Sequence, residues 1–212
     1  MQDDEIGSRY TQVADLYIDM FGSPDRVDAA NRAFIARHLG NVTGPVLDVG
    51  CGPGHLTAHL ADLGVSARGI DLVPDFVHNA RSTRPDLDFA VGSMRALDVP
   101  DGSLGGILAW YPLIHHEPHE VAEIVAEFRR AMVGGGVLVV GFFEGDVVES
   151  FDHKVTTAYR RPVDGMSAVL AAAGFVEVER AGPAPMRRVH MRHSPSALGS
   201  GRSVDAVPWT DQ

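Results

Sequence analysis

The stretch Val46-Leu47-Asp48-Val49-Gly50-Cys51-Gly52-Pro53-Gly54 sets the reading of the whole chain. An apolar run enters a turn with glycine at alternate positions, and Leu56, Leu60 and Leu63 follow at helical spacing. That is a strand, a tight turn and a helix. Glycine here accepts backbone angles closed to other residues and lets a ligand approach the main chain without meeting a Cβ. The helix beginning near Gly54 points its free N–H groups at the same place.

Outward from that loop, short β-branched runs alternate with amphipathic helices, the pattern of a largely parallel sheet covered on both faces. Strands are expected at 45–49, 66–71, 87–91, 104–110, 137–143, 175–180 and 186–191, seven in all. Helices are expected at 73–81, from Pro118 to Met132, and from Pro162 to Ala173. Pro118 opens the clearest helix, with Val121, Ile124, Val125 and Phe128 on one face, and Gly134-Gly135-Gly136 is read as its stop. Before the glycine loop, 9–20 and 25–39 read as two further helices. The Ser/Gly-rich tail 194–212, with Trp209, lacks periodicity and reads as disordered. The expected organisation is one domain over 1–193, with a helical extension at 1–44 and a core at 45–193.

Composition narrows the function classes. Eighteen basic against 28 acidic residues leave a net charge of -10, which disfavours broad neutralisation of nucleic-acid phosphates. No apolar run approaches the roughly 20 residues needed to cross a bilayer. The acidic, polar start MQDDEIGSRY is unlike a secretory signal, and the single cysteine, Cys51, forms no intrachain disulfide. A cytoplasmic protein without membrane or nucleic-acid partners is expected, as monomer or homodimer.

A glycine turn alone is weak evidence. Asp71, at the end of the second strand in Gly69-Ile70-Asp71-Leu72, sharpens it. In a doubly wound sheet that position lies beside the loop after strand one, where a carboxylate accepts hydrogen bonds from both ribose hydroxyls. The competing role for Asp71 is to cap the helix that starts at Pro74. Two nucleoside ligands suit the arrangement, a dinucleotide and S-adenosylmethionine. The dinucleotide fingerprint G-x-G-x-x-G fails at His55, where close packing wants glycine or alanine. The pattern present is D-x-G-x-G-x-G, starting at Asp48.

That pattern resembles motif I of the class I S-adenosylmethionine-dependent methyltransferases, and the resemblance runs from about Pro45 to Met191. Gly92-Ser93-Met94 looks like the family's adenine contact, with Ser93 where the family often has Asp. Leu104-Gly105-Gly106 departs from the family, which usually has an Asp near that strand's start. Leu108-Ala109-Trp110-Tyr111-Pro112-Leu113-Ile114-His115 is similar to the small bacterial proteins of the type 11 group.

The resemblance implies a Rossmann-like seven-stranded α/β fold with an N-terminal helical lid, and methyl transfer from S-adenosylmethionine to a small-molecule acceptor, oxygen by default. It implies a cofactor set of Asp48, Gly50, Gly52, Gly54, Asp71, Leu72, Ser93, Met94, Trp110, Tyr10 and Tyr17. Trp110 is open between a place beside the sulfonium and a core anchor; Tyr10 and Tyr17 are open between cofactor contact and ordinary packing. His115, His116 and Tyr111 are the catalytic candidates, since histidine titrates near neutrality and suits a base; methyl transfer without a dedicated base is the other possibility. The H-E-P-H spacing at 116–119 is not H-E-x-x-H, so no metal is expected. Arg160 and Arg161 either meet an acidic acceptor or form a solvated rim. The competing functions are S-adenosylmethionine binding without methylation and NAD(P)-dependent oxidation.

Overall fold

A computed structural model describes residues 2–182 and 186–194, so the tail from 195 onward, Trp209 included, lies outside the described residues. Two short helices lead, α1 (Gln2–Thr11) and α2 (Ala14–Phe21). They replace the single expected helix at 9–20, since the backbone of Val13 leaves helical geometry between them. Asp28 caps α3 (Ala29–Leu39) by accepting the Ala30 N–H, so this helix starts four residues later than periodicity suggests.

The core then alternates: β1 (Val46–Val49), α4 (His55–Asp62), β2 (Ala67–Asp71), α5 (Pro74–Thr83), β3 (Asp88–Val91) and β4 (Leu104–Trp110). It continues through α6 (Pro118–Ala131), β5 (Met132–Glu144), β6 (Glu149–Phe151), β7 (Ala158–Arg161), α7 (Val163–Ala172), β8 (Phe175–Ala181) and β9 (Met186–His193). Strands β3-β2-β1-β4-β5 run parallel, β9 pairs antiparallel along β5, and β8 pairs with β9.

Among the described residues the sheet has nine strands, where seven were expected. The extra pair, β6 and β7, lies in the segment after β5. Strand β9 already occupies one edge of β5 through Phe143, so β7, paired at Phe143 and Glu144, takes the edge that β4 leaves after Trp110. The hairpin therefore overhangs the carboxyl end of β4. A second difference concerns the three glycines at 134–136. They do not separate helix from strand but lie inside β5, as an irregularity between the Leu104↔Met132 and Gly106↔Val137 pairs.

Strand alternation builds a core on each face. Leu47, Ile107, Ala109, Leu138 and Val140 pack with Val121, Ile124, Phe128 and Leu170 of α6 and α7. Val46, Leu108, Val137 and Val139 pack with Phe34, Ile35, Leu39, Leu56 and Leu60 of α3 and α4. With both faces covered, the carboxyl edge of the parallel strands is left for chemistry. Among the described residues no helix is long and apolar enough to cross a membrane.

Candidate active site

The glycine loop sits at that edge, and its three left-handed glycines have different surroundings. A Cβ on Gly50 would press on Pro112 at 2.6 Å, and one on Gly54 on Ala80 and Phe89 at 2.8 Å. A Cβ on Gly52 would meet only the Tyr17 ring, at 3.7 Å. So Gly50 and Gly54 are closed by packing, and Gly52 is the bare stretch of main chain, itself buried, with the crevice a ligand would need there covered by the Tyr17 ring.

Asp71 borders Gly52. Its Oδ2 accepts the Gly52 N–H at 2.8 Å, and its Oδ1 accepts the Val73 N–H at 2.9 Å. One oxygen thus braces the residue that opens α5, and the other holds the glycine loop. Burial raises its pKa to about 6, with the two amides opposing the rise, so the group is mainly ionised at neutral pH. Each oxygen keeps a lone pair for a ribose hydroxyl.

Asp48 stands elsewhere. It is 1% exposed, and its Oδ2 accepts the Thr57 hydroxyl at 2.7 Å, tying β1 to α4. Burial lifts its pKa to about 7. It positions the loop from beneath rather than lining the crevice, and Thr57, one turn into α4, is a partner that sequence reasoning missed.

Native side chains from α1 and α2 cover the crevice. Tyr10 and Tyr17 stack edge to face at 5.6 Å and both pack on Phe76. Burial raises the Tyr17 pKa to about 12, and Asp71 beside it adds to the rise. Gly7 lies over Leu72, and a Cβ placed on Gly7 would sit 3.8 Å from the Leu72 Cβ. Asp3 reaches Ser93, accepting its hydroxyl at 2.5 Å, and accepts Nε of Arg95 at 2.9 Å. Arg95 also donates to Glu120 at 2.5 Å and to Nδ1 of His116 at 3.1 Å. Asp3 and Arg95, 92 positions apart, carry no local signal that links them. The Met94 side chain is buried in the core, which leaves only its backbone for a ligand.

Beyond β4, Tyr111 adopts φ 66, the one positive φ among the described non-glycine residues. A non-glycine residue held there is strained, and such positions cluster at functional sites. Its N–H donates to the Gly141 carbonyl at 3.1 Å, its ring packs on Phe143 at 5.1 Å, and burial raises its hydroxyl to about 12. Trp110 packs against the cluster of Phe34, Ile35 and Leu108, which makes it the core anchor of its two expected roles.

The two histidines separate. His115 is 5% exposed; Nδ1 meets the Thr157 carbonyl at 2.7 Å and Nε2 meets the Tyr10 hydroxyl at 2.9 Å. A carbonyl only accepts, so Nδ1 carries the proton and Nε2 is the basic nitrogen. His116 points away: Arg95 donates to its Nδ1, its carbonyl accepts Nη2 of Arg161, and it is 1% exposed. It therefore leaves the catalytic set as a buried link between Arg95, which Asp3 of α1 holds, and Arg161 of the hairpin. Burial holds both histidines at about 4, hence neutral at physiological pH.

The arginines divide as well. Arg160 lies over the Phe151 ring at 4.1 Å on the rim. Arg161 goes inside, and burial lowers its pKa to about 10.

Comparison with known proteins agrees with this geometry. The family described as "Methyltransferase domain" matches residues 46–136. The demethylmenaquinone methyltransferase of Renibacterium salmoninarum is 31% identical over 113 residues, 53% of this chain and 47% of that protein. The ubiquinone biosynthesis O-methyltransferase of Xanthomonas oryzae pv. oryzae is 28% identical over 134 residues, 60% of this chain and 56% of the relative. The chain thus spans about half the length of these curated relatives. Among solved structures, the Burkholderia thailandensis 1,6-didemethyltoxoflavin-N1-methyltransferase, crystallised with S-adenosylhomocysteine, superposes with TM-score 0.72 at 21% identity. That likeness covers 91% of this chain and 87% of the other. The [4+2]-cyclase SpnF superposes at 0.75 and 19% identity, covering 89% and 96%. Residues 46–136, which carry the glycine loop and Asp71, are thus similar to the methyltransferase domain family, and the fold is that of solved S-adenosylmethionine-dependent methyltransferases.

Proposed function

We propose that this protein transfers a methyl group from S-adenosylmethionine to an oxygen of a small aromatic acceptor. The observation that carries the reading is Gly52 with Asp71: bare main chain and a buried carboxylate, joined at 2.8 Å at the carboxyl edge of the sheet. Those residues suit an adenosyl group, with Asp71 for the ribose hydroxyls and Gly52 for close approach. When bound, S-adenosylmethionine supplies an already activated methyl group.

The chain's own work is positioning, desolvation and proton handling. Helices α1 and α2 cover the crevice, so ligand entry requires them to swing away from Gly52 and Asp71, and their return excludes water. Holding the reacting atoms at roughly 3–3.5 Å can lower the barrier by several kcal/mol. Tyr111, Phe143, Phe151 and His153 form a run of ring contacts beside His115, a wall that suits a flat apolar acceptor. The relatives named for quinone precursors support the same class of acceptor. His115 Nε2 is the proton acceptor for an acceptor hydroxyl once Tyr10 gives up its place. A base matched to the working pH contributes about 10²–10⁴-fold, and His115, held at about 4, contributes toward the lower end of that range.

One observation favours a second reading, binding without methylation: the likeness to SpnF, which is named a cyclase. Calorimetry with S-adenosylhomocysteine and NAD, followed by transfer of a labelled methyl group to phenolic acceptors, tests both. Binding of the former with label in the acceptor is expected. Binding without transfer to any acceptor supports the SpnF-like reading, and binding of NAD alone overturns both.

A further inference from the structure

Opposite the glycine loop, at the amino ends of β4 and β5, lies a cavity of about 380 Å³. Small-molecule sites run from about 300 to 1,000 Å³. Methyl transfer at the carboxyl edge makes no use of this space. Its lining brings Arg37 and His38 from the last turn of α3 together with His190 and Arg192 of β9 and the Gly134–Gly136 stretch of β5.

The charges there do not balance. Glu179 accepts Nη2 of Arg37 at 2.5 Å and lies 3.0 Å from Nε2 of His38. Among the described residues no carboxylate pairs with Arg192, so two guanidiniums face one carboxylate. His190 is 2% exposed, and neither ring nitrogen has a hydrogen-bond partner among the described residues. Its ring lies against that of His38, with centroids 4.0 Å apart. Burial holds it at about 4, so it is a neutral ring with one N–H to donate. A buried donor left unmade costs about 1–3 kcal/mol, and buried polar groups are nearly always partnered. A Cβ on Gly135 would meet nothing within 4 Å, so the main chain there faces open space.

Two guanidiniums and an imidazole N–H offer donors from several directions. That suits the three free oxygens of a phosphate better than the two of a carboxylate. The cavity is larger than a phosphate needs, and the remaining wall is the His38–His190 ring pair. We propose that this cavity binds a small organic phosphate, with its phosphate group at Arg192, Arg37 and the His190 N–H and its organic body against the face of the His38–His190 ring pair.

Calorimetry of the full chain with inorganic phosphate, at fixed ionic strength and with acetate as comparison, tests the assignment. Phosphate is expected to bind with a Kd of about 1 mM or tighter, and acetate at least about tenfold more weakly. Arg192→Gln should weaken phosphate about tenfold or more, and Arg37→Gln less because Glu179 already engages that guanidinium, with thermal melting confirming that each folds. S-adenosylhomocysteine binding by Arg192→Gln should be unchanged, and Asp71→Asn should bind phosphate normally. Silence of the native chain toward phosphate, equal binding of acetate, or full phosphate affinity in both arginine variants overturns the proposal.

Discussion

Tyr10 donates its hydroxyl proton to Nε2 of His115 at 2.9 Å, across 105 positions of sequence. The bond joins the first helix to the loop after β4, so the covering of the crevice and the protonation of the candidate base are one event. Tyr10→Phe removes the donor to the neutral ring. The expected result is a loss of about 1 kcal/mol in stability, with the His115 pKa rising from about 4. Imidazole NMR titration of native and variant protein reads both; an unmoved His115 titration counts against the coupling.

Asp71→Ala removes the acceptor for two amides and the proposed ribose contact. Affinity for S-adenosylhomocysteine should fall by about 10–150-fold, equivalent to roughly 1.5–3 kcal/mol. Calorimetry gives the number directly, and an unchanged Kd removes Asp71 from the ligand site.

Gly52→Val and Gly54→Val should fail differently. The first places a side chain in the crevice beside Tyr17, so the chain folds with some backbone strain and loses ligand binding. The second drives a side chain into Ala80 and Phe89, so the melting temperature drops before binding is at issue. Melting curves paired with titrations tell the two apart, and equal behaviour of the two variants would falsify the division of the loop.

Asp3→Asn weakens the latch of Asp3, Ser93 and Arg95. Hydrogen exchange in α1 should accelerate by about tenfold, or roughly 1.4 kcal/mol, below the full worth of a charged hydrogen bond because both side chains are partly exposed. Unaltered exchange over residues 2–11 excludes the latch.

Acid should destabilise the protein. His55, His115, His116 and His190 are held at about 4 by burial, below the unfolded value, so between pH 6.5 and 4 the unfolded chain takes up protons that the folded chain refuses. Asp48 and Asp71, raised to about 7 and 6, act in the opposite sense over the same window. Four histidines outweigh two aspartates, so stability rises with pH by on the order of 2–3 kcal/mol per unit around pH 5–6. Denaturant titrations at stepped pH check the sign, and a flat profile refutes it.

Most parallel strands were legible because each is a short β-branched run with turn residues at its ends. The hairpin was not: Glu149–Phe151 is too short and polar to announce itself, and it exists because Arg160 and Arg161 find the edge of β5 that β4 vacates. The three glycines misled for a related reason. They read as a helix stop, yet β5 already begins at Met132, and the glycines form an irregularity between its Met132 and Val137 pairs with β4. His115 and His116 look equivalent in sequence, and opposite side-chain directions give one to Tyr10 and the other to Arg95.

By itself the sequence determined the local chemistry: a strand feeding a glycine loop, an aspartate closing the next strand, and the face each helix buries. These depend on backbone sterics and hydrophobic period, which act over a few residues. Only the tertiary structure decided which glycine stays bare, which histidine keeps a basic nitrogen toward the crevice, and that Arg37 and Arg192 meet around a cavity. Those outcomes depend on burial and on partners tens to hundreds of positions away, and no local pattern encodes them.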